Sequence, residues 1–149
     1  MDEREESAQQ SFDRMKALAN RYIAVVDDDE SICSSFSRLL RMAGYQPVSF
    51  ASAEAFLSDK KRPHFECLVL DVQMDGISGI ELMKRLVAVG HTTPVVFITA
   101  HDNPAAQAEA EASGCVGYFR KTDSGETILG TIRNAVNSNS NSTTNPQPS

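Results

Sequence analysis

Residues 22–30 read Tyr22-Ile-Ala-Val-Val-Asp-Asp-Asp-Glu, an apolar run that ends abruptly in four acidic residues. The run is rich in β-branched side chains and too short for a helix, which predicts a buried strand. Four further apolar runs of similar length follow along the chain. They cover residues 47–50, 67–70, 94–98 and 116–119. The five runs together predict the strands of one sheet.

The segments between these runs have helical periodicity. Ile32, Phe36, Leu39 and Leu40 would lie on one face of a helix, and Gly114 is placed to end a later, Ala-rich one. Strands that alternate with helices favour a parallel sheet with helices on both faces. The predicted fold class is therefore α/β, with a five-stranded parallel sheet.

Polar segments flank the predicted domain. Residues 1–20 are charged, with Phe12, Met15 and Leu18 at roughly helical spacing, which predicts an N-terminal extension that is either a short helix or a loose arm. Residues 137–149 contain only Asn, Ser, Thr, Pro and Gln, which predicts a disordered tail or linker. The folded domain is expected over residues 21–136.

Composition narrows the classes of function. The net charge of −6 offers no basic surplus to displace counterions, which argues against direct nucleic-acid binding by this chain. No apolar run is long enough to span a bilayer, so no membrane association is expected. Cys33, Cys67 and Cys115 lack the spacing of metal or redox sites. Three reduced thiols indicate a cytoplasmic location.

Polar residues follow four of the five predicted strands. Asp27 and Asp28 follow the first strand, Asp71 the third, Thr99 the fourth and Lys121 the fifth. The carboxyl ends of parallel strands meet at one edge, where such sheets bind ligands. Crowded carboxylates repel one another, and Mg²⁺ would relieve that repulsion. An aspartate beside the ion could attack phosphorus, while a lysine and a hydroxyl stabilise the phosphoryl oxygens.

Six short stretches carry a family resemblance. In chain order they are Tyr22-Ile-Ala-Val-Val-Asp-Asp-Asp-Glu, Ser52-Ala-Glu-Ala-Phe-Leu, Leu68-Val-Leu-Asp-Val-Gln-Met, Ser78-Gly-Ile-Glu-Leu, Phe97-Ile-Thr-Ala and Gly117-Tyr-Phe-Arg-Lys. They resemble the CheY-like receiver domains of response regulators, and the second and fourth are most similar to the FixJ-like branch. The resemblance covers residues 21–136 and implies a flavodoxin-like, CheY-like fold.

The resemblance implies a role for each polar residue at the strand ends. Asp71 matches the aspartate that is phosphorylated, and it also contributes to the metal site. Asp28 matches the acid that binds Mg²⁺ directly, and Asp27 the one that acts mainly through water. Gln73 would lend its backbone carbonyl to the ion, and Lys121 would hold a phosphoryl oxygen.

Further positions match the residues that transmit and end the signal. Thr99 and Tyr118 correspond to the switch pair, in which the hydroxyl moves to the phosphate and the aromatic ring turns inward. Gln73 and His101 occupy the positions that control dephosphorylation. Gln73 could orient a water by hydrogen bonding, and His101 could act as a weak base when neutral.

The implied function is that of a phosphoacceptor in a two-component phosphorelay. A histidine kinase or phosphotransfer protein would donate a phosphoryl group to Asp71 with Mg²⁺, and the acylphosphate would switch a surface over residues 104–136. This surface, formed by the fourth helix, fifth strand and fifth helix, is also a candidate homodimer interface. The chain would not be an enzyme in the usual sense, although self-phosphorylation and self-dephosphorylation are expected.

Two departures from the family pattern keep alternatives open. Asp75 and Thr122 stand where such domains usually carry proline. A cis bond before a non-proline residue costs about 3 kcal/mol, so a trans bond is expected before Thr122, and the charge of Asp75 could weaken phosphorylation. One alternative is a phosphatase resembling the haloacid dehalogenase group, which would use Asp27 and Asp29. Another is a degenerate receiver that binds partners without phosphorylation.

Overall fold

The computed structural model of the chain describes residues 8–10, 21–101 and 103–144. Its sheet is parallel, with the strands in the order β2-β1-β3-β4-β5. The strands are β1 (Tyr22–Val26), β2 (Gln46–Phe50), β3 (Phe65–Asp71), β4 (Val95–Thr99) and β5 (Gly117–Arg120). The predicted α/β class and parallel sheet are confirmed, and each strand lies close to its predicted position.

Helices follow the strands in strict alternation. They are α1 (Glu30–Met42), α2 (Ala53–Ser58), α3 (Gly79–Ala88), α4 (Pro104–Ala112) and α5 (Gly125–Thr144). The first four begin at a polar side chain that accepts a hydrogen bond from an N–H of the first turn. These capping residues are Asp29, Ser52, Ser78 and Asn103. Within the described part of the chain, no helix has the length and hydropathy needed to cross a membrane.

The core consists of two apolar layers, one on each face of the sheet. Successive strand residues alternate between the layers because side chains in a strand point to opposite faces. The first layer contains Val26, Leu70 and Phe97 and packs against α2, α3 and α4. The second contains Val25 and Ile98 and packs against α1 and α5. Strands covered on both sides read as continuous apolar runs, which is why β1, β3 and β4 were visible in the sequence.

The two flanking segments are described only in part. Residues 8–10 are helical and exposed, whereas Phe12, Met15 and Leu18 lie outside the described residues. At the other end, α5 continues past Val136, the expected end of the folded domain, to Thr144. Val136 is fully buried in the core of the second layer, and it anchors the preceding turns. An anchored helix gains a hydrogen bond with each added residue, so its backbone can extend beyond its apolar face.

The strand order places a topological switch point between β1 and β3. The chain leaves β1 toward one edge of the sheet to form β2 and returns on the other side of β1 to form β3. Helices that follow these two strands cover opposite faces, which leaves a crevice at the carboxyl ends of β1 and β3. The residues that follow these two strands therefore lie at the position where sheets of this kind bind ligands.

Candidate functional site

Four polar residues meet at the carboxyl edge of the sheet. Asp27 directly follows β1, Asp71 and Thr99 are the last residues of β3 and β4, and Lys121 directly follows β5. Asp27, Asp71 and Thr99 are 1%, 3% and 1% exposed. Charged side chains are rarely buried to this degree unless a partner compensates for the lost hydration. The burial therefore marks the edge as a site that keeps its charges for a reason other than stability.

Three carboxylates form a compact cluster at this edge. Asp27, Asp28 and Asp71 each offer an oxygen, and these oxygens all lie within 4.8 Å of one another. Asp28 is exposed to solvent, whereas the other two are buried. The structure thus brings together the three acids that follow the first and third predicted strands, because these two strands are neighbours in the sheet.

Lys121 compensates part of this negative charge. Its Nζ lies 3.0 Å from Asp27 Oδ2 and 3.2 Å from Asp71 Oδ2, and its side chain is 14% exposed. The backbone N–H of Lys121 donates to the carbonyl of Thr99 over 2.8 Å, which extends the pairing of β5 with β4. The lysine is therefore fixed by the sheet itself, and its ammonium bridges the ends of β1 and β3.

The electrostatics of the cluster follow from burial and from these neighbours. Burial raises the pKa of Asp71 to about 6, and repulsion from Asp27 adds to this, although Lys121 acts in the opposite direction. Burial alone would lower the pKa of Lys121, but its hydrogen bond to Asp27 and the charge of Asp71 outweigh burial and raise it. At neutral pH the site therefore contains an ionised but unusually basic Asp71 beside a firmly protonated lysine.

One oxygen of the cluster is left without a hydrogen bond. Asp27 Oδ1 accepts from the N–H of Asp29 over 2.9 Å. Asp27 Oδ2 is buried and has Lys121 as an ionic neighbour at 3.0 Å, but the hydrogen bond that the ammonium donates to this carboxylate goes to Oδ1, over 3.4 Å. A buried carboxylate oxygen in this condition is destabilising, and a hard divalent cation would satisfy it. The donor set of three carboxylates therefore fits Mg²⁺.

The acidic run after β1 divides into separate roles. Asp29 caps α1, since its Oδ1 accepts from the N–H groups of Ser31 at 2.9 Å and Ile32 at 3.4 Å. Its carboxylate thereby serves the helix, and it is not one of the three acids in the cluster. The phosphatase hypothesis requires Asp29 to act jointly with Asp27, and the observed arrangement does not support that pairing.

The loop between β3 and α3 wraps closely around Asp71. Asp71 Oδ1 accepts from the N–H of Gln73 over 3.2 Å, and the N–H of Gly79 donates to the carbonyl of Val72 over 3.2 Å. A Cβ atom at Gly79 would lie 2.1 Å from the carbonyl oxygen of Asp71, so a side chain there cannot be accommodated. Gln73 and Asp75 are exposed, on the solvent side of the loop.

Sequence reasoning missed two residues that shape this loop. Gly79 was not singled out, although a glycine at the first position of a helix is a signal of close backbone approach. Glu54 in the first turn of α2 was also missed. Its Oε1 accepts from the N–H of Ile77 over 2.7 Å. No pattern in the sequence could have linked Glu54 to Ile77, because the two residues are far apart along the chain.

The residues matched to the switch pair lie on β4 and β5. The hydroxyl of Thr99 donates to the carbonyl of His101 over 2.9 Å and accepts from the N–H of His101 over 3.3 Å. Tyr118 pairs with Phe97 in the sheet, their ring centroids are 6.4 Å apart, and the tyrosine hydroxyl oxygen is buried. The threonine hydroxyl is thus engaged with the β4–α4 loop, while the tyrosine ring packs toward the core. His101 itself is exposed.

The loop after Lys121 has the expected peptide geometry. No cis peptide bond occurs within the described ranges, so the trans bond expected before Thr122 is confirmed. Asp123 closes this turn, because its Oδ2 accepts from the N–H of Arg120 over 2.8 Å and its own N–H donates to the carbonyl of Arg120 over 3.0 Å. The aspartate therefore fixes the turn that presents the lysine.

Comparison with known proteins shows the family to which the chain is similar. The response regulator receiver domain model matches residues 23–133. The response regulator protein TmoT of Ectopseudomonas mendocina is 35% identical over 114 residues, which are 76% of this chain and 52% of TmoT. The transcriptional regulatory protein FixJ of Bradyrhizobium diazoefficiens is 34% identical over 115 residues, which are 77% of this chain and 56% of FixJ. The chain spans about half the length of these curated relatives.

A solved structure agrees with these relatives. A response regulator receiver protein from Burkholderia phymatum is 36% identical, with a TM-score of 0.69, over 78% of this chain and 95% of that one. The resemblance to CheY-like receivers, including the FixJ-like branch, is thereby confirmed. Since the family model matches most of the chain, the protein belongs to the response regulator receiver domain family of two-component signalling.

Proposed function

We propose that the chain is a phosphoacceptor in a two-component phosphorelay, and that Asp71 receives the phosphoryl group. The observation that carries this proposal is the ammonium of Lys121, which lies 3.0 Å from buried Asp27 and 3.2 Å from buried Asp71. A cation fixed between two buried carboxylates is well placed to meet a phosphoryl oxygen once that group is attached to one of them.

The chemistry follows from the environment of Asp71. A carboxylate oxygen of Asp71 forms the new O–P bond while the P–N bond of a donor phosphohistidine breaks, and the electron pair of that bond returns to the imidazole. A pKa of about 6 leaves Asp71 ionised at neutral pH but more basic than an ordinary aspartate, which favours nucleophilic attack. Asp27, Asp28, Asp71 and the backbone carbonyl of Gln73 would hold Mg²⁺, which neutralises charge on the transferring group.

The signal would then pass along β4 and β5. The Thr99 hydroxyl now bonds to the His101 backbone, and it would leave that partner for a phosphoryl oxygen. This change alters the β4–α4 loop, and Tyr118 lies on the neighbouring strand with its ring toward the core. The responding surface is α4, β5 and α5, which would bind a partner or a second copy of the chain. The donor would be a histidine kinase or phosphotransfer protein in the cytoplasm.

Two exposed side chains would set the lifetime of the acylphosphate. Gln73 lies two positions beyond Asp71, and His101 two positions beyond Thr99, and both are exposed. Hydrolysis requires a water in line with the phosphorus, on the solvent side of the site. Gln73 can orient such a water, whereas neutral His101 can also accept its proton.

Labelling with a small donor tests the proposal directly. With Mg²⁺ and a small acyl phosphate, the wild type should gain one phosphoryl group that hydroxylamine removes, and Asp71→Asn should gain none. Asp59→Asn, which removes an aspartate at the far end of α2, is the matched control and should be labelled like the wild type. Label on Asp27 in the Asp71→Asn variant would favour the phosphatase, and an unlabelled wild type would favour a degenerate receiver.

A further inference from the structure

Three hydrogen bonds shape the loop between Asp71 and α3. The first joins the N–H of Gln73 to Asp71 Oδ1, and the second closes the base of the loop between Gly79 and Val72. The third comes from a different element of the fold. Glu54 in the first turn of α2 accepts from the N–H of Ile77 over 2.7 Å, a short distance typical of a charge-assisted bond.

The backbone of the loop lies directly against this carboxylate. Gly76 has a φ of +80°, and a Cβ atom there would lie 2.8 Å from Glu54 Oε1 and 3.0 Å from Oε2. Glycine therefore meets two requirements at this point, since it adopts the left-handed conformation without strain and leaves room for the glutamate. The far side of the loop is folded onto Glu54 over two successive residues, Gly76 and Ile77.

Glu54 is a firm point to which such a loop can be attached. It lies between Ala53 and Phe56, which are 0% and 2% exposed and hold α2 to the core. Ser52 caps the helix by accepting from the N–H of Ala55 over 2.9 Å. By contrast, residues 72–78 include no proline and contain a glycine, so the loop has little stiffness of its own.

We propose that Glu54 is a positioning residue of the metal site. Its carboxylate fixes the loop at Ile77, and Asp71 fixes it at Gln73, so that the backbone carbonyl between them is held ready to bind Mg²⁺. Glu54 is not one of the three clustered carboxylates, so it would act on the ion through the loop alone. This inference rests on the proposed function, because it assigns a metal ligand to the Gln73 carbonyl.

The test compares Glu54→Ala with Glu54→Gln, which keeps an acceptor oxygen and removes the charge. Glu126→Ala is the matched control, since Glu126 is also an exposed glutamate in the first turn of a helix, on the other face of the sheet. In Mg²⁺-free protein, the Ile77 amide should exchange with solvent about tenfold faster in Glu54→Ala. Glu54→Gln, whose neutral oxygen makes a weaker bond, should exchange at a rate between those of Glu54→Ala and the wild type, and Glu126→Ala should match the wild-type rate.

The second readout is the dissociation constant of Mg²⁺, measured by titration without a phosphoryl donor. Loss of an outer partner of a metal ligand weakens binding by about 10- to 100-fold, and we expect the lower figure for Glu54→Ala. Glu54→Gln should restore part of the affinity, because its amide oxygen can still accept from the Ile77 N–H. Binding as weak in Glu54→Gln as in Glu54→Ala would overturn the proposal, because charge alone would then account for the effect.

Two other outcomes separate this inference from the proposed function. An unchanged Ile77 exchange rate in Glu54→Ala, or equal Mg²⁺ affinity in Glu54→Ala and Glu126→Ala, would refute the role of Glu54 and leave the phosphoacceptor proposal intact. A wild type that binds no Mg²⁺ would refute the metal site itself, and the inference with it. Faster Ile77 exchange in Glu54→Ala would then show only that the contact orders the loop.

Discussion

The free energy of unfolding of the Asp71→Asn variant, relative to that of the wild type, should be higher at neutral pH than in acid. The pKa of Asp71 is raised to about 6 from its ordinary value of 3.8, because the carboxylate is buried and faces Asp27. Between these two values the folded chain binds a proton that the unfolded chain has lost. The free energy of unfolding of the wild type therefore falls as the pH rises from about 4 to about 6. The variant lacks this loss.

The size of the effect follows from the difference in pKa. It amounts to roughly two pKa units, and one unit corresponds to about 1.4 kcal/mol, which sets an upper limit near 3 kcal/mol. Solvent at the open edge, where Asp28 is exposed, screens the charges and reduces this free energy. We therefore expect the free energy of unfolding of the variant minus that of the wild type to rise by about 1–2 kcal/mol from pH 4 to pH 7.5. The hydrogen bonds that asparagine loses change little with pH and cancel in this comparison.

Urea unfolding of both proteins at several pH values, without Mg²⁺, measures this quantity. The linear extrapolation gives the free energy of unfolding at each pH, and the difference between the proteins isolates residue 71. Two curves that run parallel from pH 4 to pH 7.5 would refute the reasoning. A difference, variant minus wild type, that falls with rising pH would also refute it, since it would mean that Lys121 outweighs burial and holds the pKa of Asp71 low.

Three further predictions concern other parts of the structure. Gly79→Ala should destabilise the fold by about 2 kcal/mol or more, because its Cβ would meet the Asp71 carbonyl at 2.1 Å. Gly130→Ala, where a Cβ meets open space, should instead stabilise α5 by about 0.5–1 kcal/mol, and equal effects in urea unfolding would contradict this. Burial raises the pKa of Cys67 to about 12, so a thiol reagent at pH 8 should modify half-buried Cys33 and Cys115 first and reach Cys67 only through global unfolding. Mg²⁺ at one hundred times its dissociation constant should stabilise the wild type by about 2.7 kcal/mol, and an equal rise in melting temperature with NaCl of matched ionic strength would point to screening instead.

Much of the fold was predictable because its central strands are buried on both faces. The continuous apolar runs of β1, β3 and β4 stand out in the sequence, and their alternation with amphipathic segments predicts a parallel sheet. Once the sheet is assumed, Asp71 and Lys121 must lie at the same, carboxyl edge. The strand order, which the sequence did not predict, then determines that the two side chains meet.

Other features depend on contacts that leave no pattern in the sequence. The acidic run after β1 contains similar residues with different tasks, and only the geometry separates Asp27 in the cluster from Asp29 at the cap of α1. The contact of Glu54 with Ile77 joins the first turn of α2 to the β3–α3 loop, and neither residue belongs to a sequence motif that predicts it. The length of α5 beyond Val136 reflects backbone hydrogen bonding, which apolar periodicity does not report.

The bridging position of Lys121 also helps to set the net charge of the site. Three carboxylates against one ammonium leave two net negative charges, which one divalent cation cancels. Under the proposed function, conversion of Asp71 to its acylphosphate would replace one negative charge by about two. Without the cation, the phosphorylated edge would carry three net negative charges, and with it one. This charge balance favours binding of the cation before the donor, because an anionic donor then approaches a neutral site. Without the cation, the same donor would approach a site that repels it.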